Sequence, residues 1–356
     1  MSEESDCCPG EHESIPPQIV TLTMNPALDI TSEADVVRPT DKIRCTGTRY
    51  DPGGGGINVA RVAHVLGANA SAVFLSGGAT GRLVSGLVHD AGVPLQEIGI
   101  AGSTRESFTV NERSTAKQYR FVLQGPEVTG QEQTRCLAVL RTAAASAQFV
   151  VASGSLPPGV PPDWYQRVAD LCADIGARFV LDTSGGGLTH VRSGVFLLKP
   201  SLRELRECVG EELKTEAAQV AAAEDLIDRG VAQSVLVSLG ADGALLVTPT
   251  RSWRFVALRV PAGSGVGAGD AMVAALTVGL TRGWSMNDSV RYGIAAGAAM
   301  LLTPGTATCS RPDVERFFEL TTAPTELSAS GLRTFAPSAA RRAPSSLGAW
   351  ESKGPA

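Results

Sequence analysis

Histidine is scarce, paired-cysteine motifs are missing and no long apolar run occurs, and each shortage removes a class of chemistry. The four histidines, at positions 12, 64, 89 and 190, are too scattered to suggest a zinc site or a Ser-His-Asp triad. The seven cysteines contain no CxxC pair and are odd in number. Cys45, Cys136, Cys172 and Cys208 stand singly in patterned segments, which reads as reduced thiols in a cytoplasmic protein. No apolar stretch approaches the ~18 residues that a membrane span needs. The opening MSEESDCCPGEHES is acidic and lacks the basic and apolar regions of a secretory signal. A net charge of −5 argues against nucleic acid or an anionic membrane as the main partner. Glycine never precedes lysine, so the GxxxxGK[ST] phosphate loop is absent, as is the protein-kinase catalytic motif. GGATG (77–81) is only a fragment of a dinucleotide fingerprint, which disfavours a NAD-dependent oxidoreductase.

What remains is a chain of 356 residues, 43% hydrophobic and 19% charged, long enough for a full core in the manner of a globular enzyme. Residues 1–17 are expected to be a flexible lead-in, 18–322 the folded domain, and 323–356 a tail without fixed structure, rich in Ala, Ser, Pro and Arg. Within the domain, short apolar runs alternate with helical patterns. Strands are predicted at Ile19–Met24, Ala72–Leu75, Phe149–Ala152, Phe179–Leu181, Val195–Leu198, Val235–Ser238 and Ala244–Val247. Helices are predicted at Ile57–Leu66, Arg82–Ala91, Glu132–Ala145, Pro162–Ile175, Leu202–Cys208, Thr215–Arg229, Ala268–Thr281 and Met286–Leu302. That alternation implies an α/β fold with a mostly parallel sheet covered on both faces and ligands at the carboxyl ends of its strands. Ile30–Tyr50 and Ser107–Val122 break the pattern with β-prone segments such as FTV and QYRFVL. They read as a small antiparallel β-layer, a lid that could also pair with a second copy, or else as edge strands of the main sheet.

Chemistry concentrates in GSGVGAGDAMVAAL (263–276), where glycines run into Asp270 and an apolar helical pattern. Glycine lets backbone N–H groups approach a ligand, and the first N–H groups of a helix attract anions. There, an electropositive helix start would keep Asp270 ionised as a general base; the plainer alternative is an N-cap aspartate. DPGGGGINVAR (51–61) sets four glycines before a helix bearing Asn58, which suits a sugar hydroxyl or a hinge. Asp29 follows the first strand and can accept hydrogen bonds. In SGSLPPG (153–159), Ser155 presents a hydroxyl after a buried strand. LLKPSLREL (197–205) offers Lys199 for phosphates and Glu204 near magnesium. VSLGADGALLV (237–247) suits a nucleotide platform, and Arg105 could clamp a phosphate.

In this order, the motifs resemble the ribokinase-like (PfkB) carbohydrate kinases over about Ile19–Leu320, through GGGGINVAR and GVGAGDAMVAA. KIRCTGTRYDPGGGGINVAR, QYRFV and SGSLPPGV are most similar to the branch acting on sugar phosphates. The resemblance implies a three-layer α/β sandwich with a β-sheet lid spanning about 28–52 and 103–122. It also implies ATP-dependent phosphorylation of a sugar phosphate, fructose 6-phosphate foremost, with tagatose 6-phosphate or fructose 1-phosphate as rivals. Under it, Asp270 is the base, and the N–H groups of Gly267, Ala268 and Gly269 stabilise the transferring phosphoryl group. Asp29, Gly53, Gly54, Asn58 and Ser155 hold the sugar, Arg105 its phosphate, and Lys42 reaches in from the lid. Lys199, Ser201, Ser238, Gly240, Gly243, Ile294, Gly297 and Ala298 line the ATP site. Glu204 reaches Mg2+ through water, and a K+ site falls at Ser264, Val266, Met300, Thr303 and Gly305. The resemblance further implies a homodimer formed through the lid.

Three positions depart from the family's pattern: Ser201 replaces an asparagine, Gly265 a threonine-like residue, and Thr303-Pro304 an asparagine before the late glycine. None touches Asp270, so activity is expected. The alternative outside this class is a catalytically idle sugar- or nucleotide-binding regulator.

Overall fold

The protein was analysed as a computed structural model, which describes residues 18–260, 265–303 and 307–327. Ser264 and Gly305, the 1–17 lead-in and most of the expected tail lie outside these residues.

The chain begins with β1 (Ile19–Thr23), β2 (Ala27–Ala34), β3 (Thr46–Gly53), α1 (Gly55–Val65), β4 (Ala70–Ser76) and α2 (Gly78–Asp90). It continues through β5 (Leu95–Gly99), β6 (Arg105–Glu112), β7 (Gln118–Val122), α3 (Gly130–Ala143), β8 (Phe149–Ser153) and α4 (Trp164–Ile175). Next come β9 (Arg178–Asp182), α5 (Gly186–Thr189), β10 (Val195–Leu198), α6 (Leu202–Val209) and α7 (Glu216–Asp228). The remainder comprises β11 (Ala232–Ser238), β12 (Ala244–Val247), β13 (Ser252–Phe255), α8 (Ala268–Thr281), α9 (Met286–Met300), α10 (Arg311–Leu320) and β14 (Thr325–Leu327).

Seven parallel strands form the centre in the order β5-β4-β1-β8-β9-β10-β11, and β12, β13 and β14 extend it by antiparallel pairing. Alternation within strands sends side chains to two cores. Val20, Leu22, Val150 and Leu181 meet Leu140 of α3, Trp164 of α4 and Leu226 of α7 on one face. Ile19, Phe149, Val151 and Leu236 meet Val59 of α1, Leu276 of α8, Val290 of α9 and Phe317 of α10 on the other. Together these make the expected three-layer α/β sandwich.

The predicted strands and helices form within a few residues of their expected ends. Five elements are additional. α10 starts at a Ser310 cap followed by Pro312, and α5 is a single turn. β5 and β13 are edge-zone strands with half-polar sequences, LQEIG and SWRF, that carry little apolar signal. Thr325–Leu327, expected to belong to the structureless tail, instead pairs with Ser252–Arg254 of β13 because that edge offers unpaired backbone groups.

The lid is a four-stranded sheet ordered β3-β2-β6-β7. Its outer pairs are antiparallel, as expected, but the central β2–β6 pair is parallel. The reason is topological: β2 follows β1 and β6 follows β5, so both leave the body from parallel strands at the same edge.

Candidate active site

At the carboxyl edge of the sheet the ends of β1, β8, β9 and β10 converge on the start of α8. Side chains cap five of the ten helix starts among the described residues: Thr129 and Glu132 form a reciprocal box at α3, Ser201 and Glu204 another at α6, and Thr215, Ser285 and Ser310 cap α7, α9 and α10. α8 is one of the five without such a cap. Its N-cap is Gly267, left-handed at φ 78° and without a capping side chain, and the site lies against this open helix start. A Cβ on Gly267 would lie 2.9 Å from the Met300 methyl carbon.

Asp270 stands at the third position of α8, half-buried between two donors. Asn58 Nδ2 donates to its Oδ2 at 3.0 Å, and Ser153 Oγ donates to its Oδ1 at 3.1 Å. Its pKa is pushed up to about 6, first by burial and then by the charge of Asp182, against the lowering effect of Asn58, Ser153 and Lys199. Desolvation outweighs these lowering contacts, and the carboxyl ionises as pH rises through about 6. The group is left poised near neutrality.

Lys199, only 4% exposed, pairs with Asp182 at 3.1 Å. Burial works against its charge, but Asp182 and Glu204 more than compensate, and its pKa is raised. Burial likewise pushes the Asp182 carboxyl up, with Lys199 opposing. Sequence reading missed Asp182 and Ser153. Each ends a strand with a side chain turned into the site, and a polar residue closing an apolar run was the only available signal.

The glycine run is crowded by the protein itself. A Cβ on Gly53 would collide with the Asp29 carboxylate, and one on Gly56 would lie 2.5 Å from the Leu22 carbonyl. On Gly55 it would collide with the Ser153 hydroxyl. The backbone of 53–56 is thus pressed against its own protein, which seats Asp29 and Ser153. Asn58 correspondingly spends its amide on Asp270 rather than on open space, while its Oδ1 is buried with no hydrogen-bond partner.

On the lid, burial raises the Asp29 pKa to about 6, partly offset by Arg120. Arg105 donates through Nη2 to the Asn25 carbonyl at 3.0 Å and through Nη1 to the Leu123 carbonyl at 3.2 Å; its Nε has no partner. Arg105, Val122, Leu123, Ser155 and Gly185 line a cleft of about 640 Å³. Asn25 bridges to Ser155 at 3.4 Å. Lys42 is exposed in the β2–β3 connection, at the lid's far end from Asp29.

Of the expected nucleotide residues, Ser201 caps α6 and forms a single parallel bridge to Ser238, the last residue of β11. Gly240 and Gly243 form the turn between β11 and β12. Ile294, Gly297 and Ala298 lie on α9, with Gly297 against the Ala268 carbonyl. Serine for asparagine at 201 therefore preserves the helix start. Glu204 Oε2 is committed to the capping box, accepting from the Ser201 backbone and hydroxyl at 2.8 Å each. Among the described residues no cluster of three or more His, Cys, Asp or Glu could hold a metal. This donor set fits Mg2+ carried mainly by phosphates, with the other Glu204 oxygen reached through water. The K+ donors fit less well: the Met300 carbonyl already accepts from Thr303 N at 3.1 Å and Thr303 Oγ1 at 2.8 Å. Val266 belongs to the turn before α8.

Residues 22–313 match the sequence profile of the pfkB family carbohydrate kinases. The chain is 68% identical over 311 residues to an ATP-dependent 6-phosphofructokinase isozyme 2 of Mycobacterium tuberculosis, covering 87% of this chain and 92% of that protein. Against the isozyme of the same name from Escherichia coli K12 it is 37% identical, covering 85% and 98%. The crystal structure of E. coli phosphofructokinase-2 in complex with fructose-6-phosphate superposes with a TM-score of 0.80 at 35% identity, over 85% of this chain and 99% of that one.

Proposed function

From the premise that this chain belongs to the pfkB family of carbohydrate kinases, we propose that it transfers the γ-phosphoryl group of ATP to fructose 6-phosphate, yielding fructose 1,6-bisphosphate. The observation that carries this reading is Asp270, half-buried and poised near neutrality at the third position of a helix whose first N–H groups have no side-chain cap.

Asp270 takes the proton of the sugar's C1 hydroxyl while that oxygen bonds to the γ-phosphorus and the bond to the ADP oxygen breaks. The N–H groups of Gly267, Ala268 and Gly269, with Lys199 beside them, stabilise the charge on the phosphoryl oxygens. Asp29 and Ser155 hold the sugar hydroxyls beside Gly53 and Gly54, and Asn58 orients the base and completes the pocket. Arg105 takes the existing phosphate in the cleft it lines, with Lys42 drawn in from the lid. The nucleotide lies along Ser201, Ser238, Gly240, Gly243, Ile294, Gly297 and Ala298. Glu204 would hold Mg2+ through water, and when bound the ion would supply charge neutralisation on the phosphates. A K+ site at Ser264, Val266, Met300, Thr303 and Gly305 would first require the Thr303 turn to release the Met300 carbonyl, and no step here depends on it.

The reading includes a homodimer formed through the lid and a cytoplasmic location, where ATP and sugar phosphates are supplied. Coupled assays of ADP release test it on fructose 6-phosphate, fructose 1-phosphate, tagatose 6-phosphate and the free sugars. A preference of kcat/KM for fructose 6-phosphate is expected; preference for another acceptor, or no turnover, overturns it.

A further inference from the structure

We propose that Ser153 is the positioning residue of the base: its hydroxyl holds the Asp270 carboxylate in the orientation that receives the substrate proton, and Gly55 keeps the space that hydroxyl occupies. This rests on Asp270 acting as the base in the reading above.

Three observations converge. Ser153 is 2% exposed at the end of β8, in register with Asp182 at the end of β9, so its side chain is fixed by the body rather than the lid. Its Oγ donates to Asp270 Oδ1 while Asn58 donates to Oδ2, so the two oxygens are tied from opposite elements and the carboxylate plane is set. Each carboxylate oxygen retains a second lone pair, which leaves a place for the incoming hydroxyl. Finally, a Cβ on Gly55 would collide with that same Oγ, and it would also lie 2.8 Å from Ser153 Cβ. A glycine at the start of α1, costly in backbone entropy, is thereby explained by a hydroxyl on another element. Ser155, two residues on, points instead toward Asn25 and the cleft.

The charged groups facing Asp270 are Asp182 from β9, which disfavours its ionisation, and Lys199 from β10, which favours it; α1 contributes only the neutral Asn58. Ser153 is thus one of two neutral donors favouring the anion. Removing it leaves burial and Asp182 less opposed, so the carboxyl should hold its proton to higher pH.

The test compares wild type with Ser153→Ala and with Ser153→Cys, which keeps the volume and a weaker donor. Expected for Ser153→Ala are a kcat lowered by about tenfold, the loss of one hydrogen bond to a charged group, with KM for ATP unchanged. The acid limb of the kcat profile should rise by about one pH unit, and Ser153→Cys should fall between. In parallel, ¹³C NMR of aspartate-labelled protein follows the Asp270 carboxyl, identified by its loss in Asp270→Asn, and its titration midpoint should rise equally. Should Ser153→Ala not fold, Ser153→Cys decides alone. A lower kcat with an unmoved midpoint would mean a merely structural serine and overturns the proposal; so does a moved midpoint with unchanged kcat. If wild type phosphorylates no sugar phosphate, the functional reading fails, and the NMR midpoint alone still decides whether Ser153 governs Asp270.

Discussion

Lys199 Nζ lies 3.1 Å from Asp182 Oδ2, and a Cβ on Gly269 would stand only 3.6 Å from the same nitrogen. One buried ammonium therefore balances a carboxylate behind it and faces the open start of α8 in front. Lys199→Ala should destabilise the fold by about 3–5 kcal/mol, because it strands a buried carboxylate. It should also raise KM for ATP, and Lys199→Met combined with Asp182→Asn should recover stability but not ATP affinity. Urea denaturation and steady-state kinetics check both halves. Stability unchanged in Lys199→Ala would mean that the pair is not buried as described.

Asp270→Asn should lower turnover by about 10²–10⁴-fold while leaving ATP and sugar binding nearly intact, the range for removing a general base. Its effect on stability has the opposite sign. The folded-state pKa is raised to about 6, so the protonated form is favoured below the unfolded value and that stability is lost as pH rises through about 6. At pH 8 the wild type carries a half-buried charge that asparagine lacks, so the variant should be more stable there by on the order of 2–3 kcal/mol. By pH 4, close to the unfolded value, most of that difference should be gone. Thermal unfolding at the two pH values decides it, and an Asp270→Asn variant less stable at pH 8 would contradict the pKa assignment.

How much of this was legible in the sequence depended on how local the signal was. The run of glycines before Asp270 announced the helix start, because both the backbone requirement and the carboxylate lie within a few consecutive residues. Lys199 and Glu204 were visible for the same reason, lying just after a predicted strand. Ser153 and Asp182 were not, since each matters only through β8–β9 pairing and through α8, which begins more than eighty residues later in the chain. The glycines at 53–56 were noticed, but what crowds them was not. Their crowding partners, Asp29, Ser153 and Leu22, are distant in sequence, and no periodicity betrays a missing Cβ. The parallel centre of the lid escaped notice because strand direction follows from how the chain leaves the body.

Arg105→Ala should raise KM for the sugar phosphate about 10- to 150-fold, equivalent to the ~1.5–3 kcal/mol of a charge-assisted hydrogen bond, with KM for ATP nearly unchanged. Two of its nitrogens already donate to the Asn25 and Leu123 carbonyls, which holds the side chain along the cleft. Isothermal titration with fructose 6-phosphate against fructose separates the phosphate contact from the sugar contacts. Equal affinity of the variant and wild type for the phosphorylated sugar would remove Arg105 from that role.

Neighbouring residues of β7 lie on opposite faces of the lid. Through the strand registers, Tyr50, Ile30, Phe108 and Phe121 share one face, whereas Asp51, Asp29, Ser107 and Val122 share the other. Phe121 is 58% exposed and Tyr50 50%, while Ile30 between them packs partly against the body. Val122 is also exposed, but it borders the Arg105 cleft. Exposed aromatics in a row across a small sheet are the kind of patch that a second lid would cover. Phe121→Glu should therefore shift the protein toward monomer at micromolar concentration. Val122→Glu should leave assembly intact and raise KM for the sugar phosphate by placing a like charge beside its phosphate. Light scattering with kinetics on both variants distinguishes the faces. A wild type already monomeric and fully active, or dimer loss from Val122→Glu rather than Phe121→Glu, would refute this division.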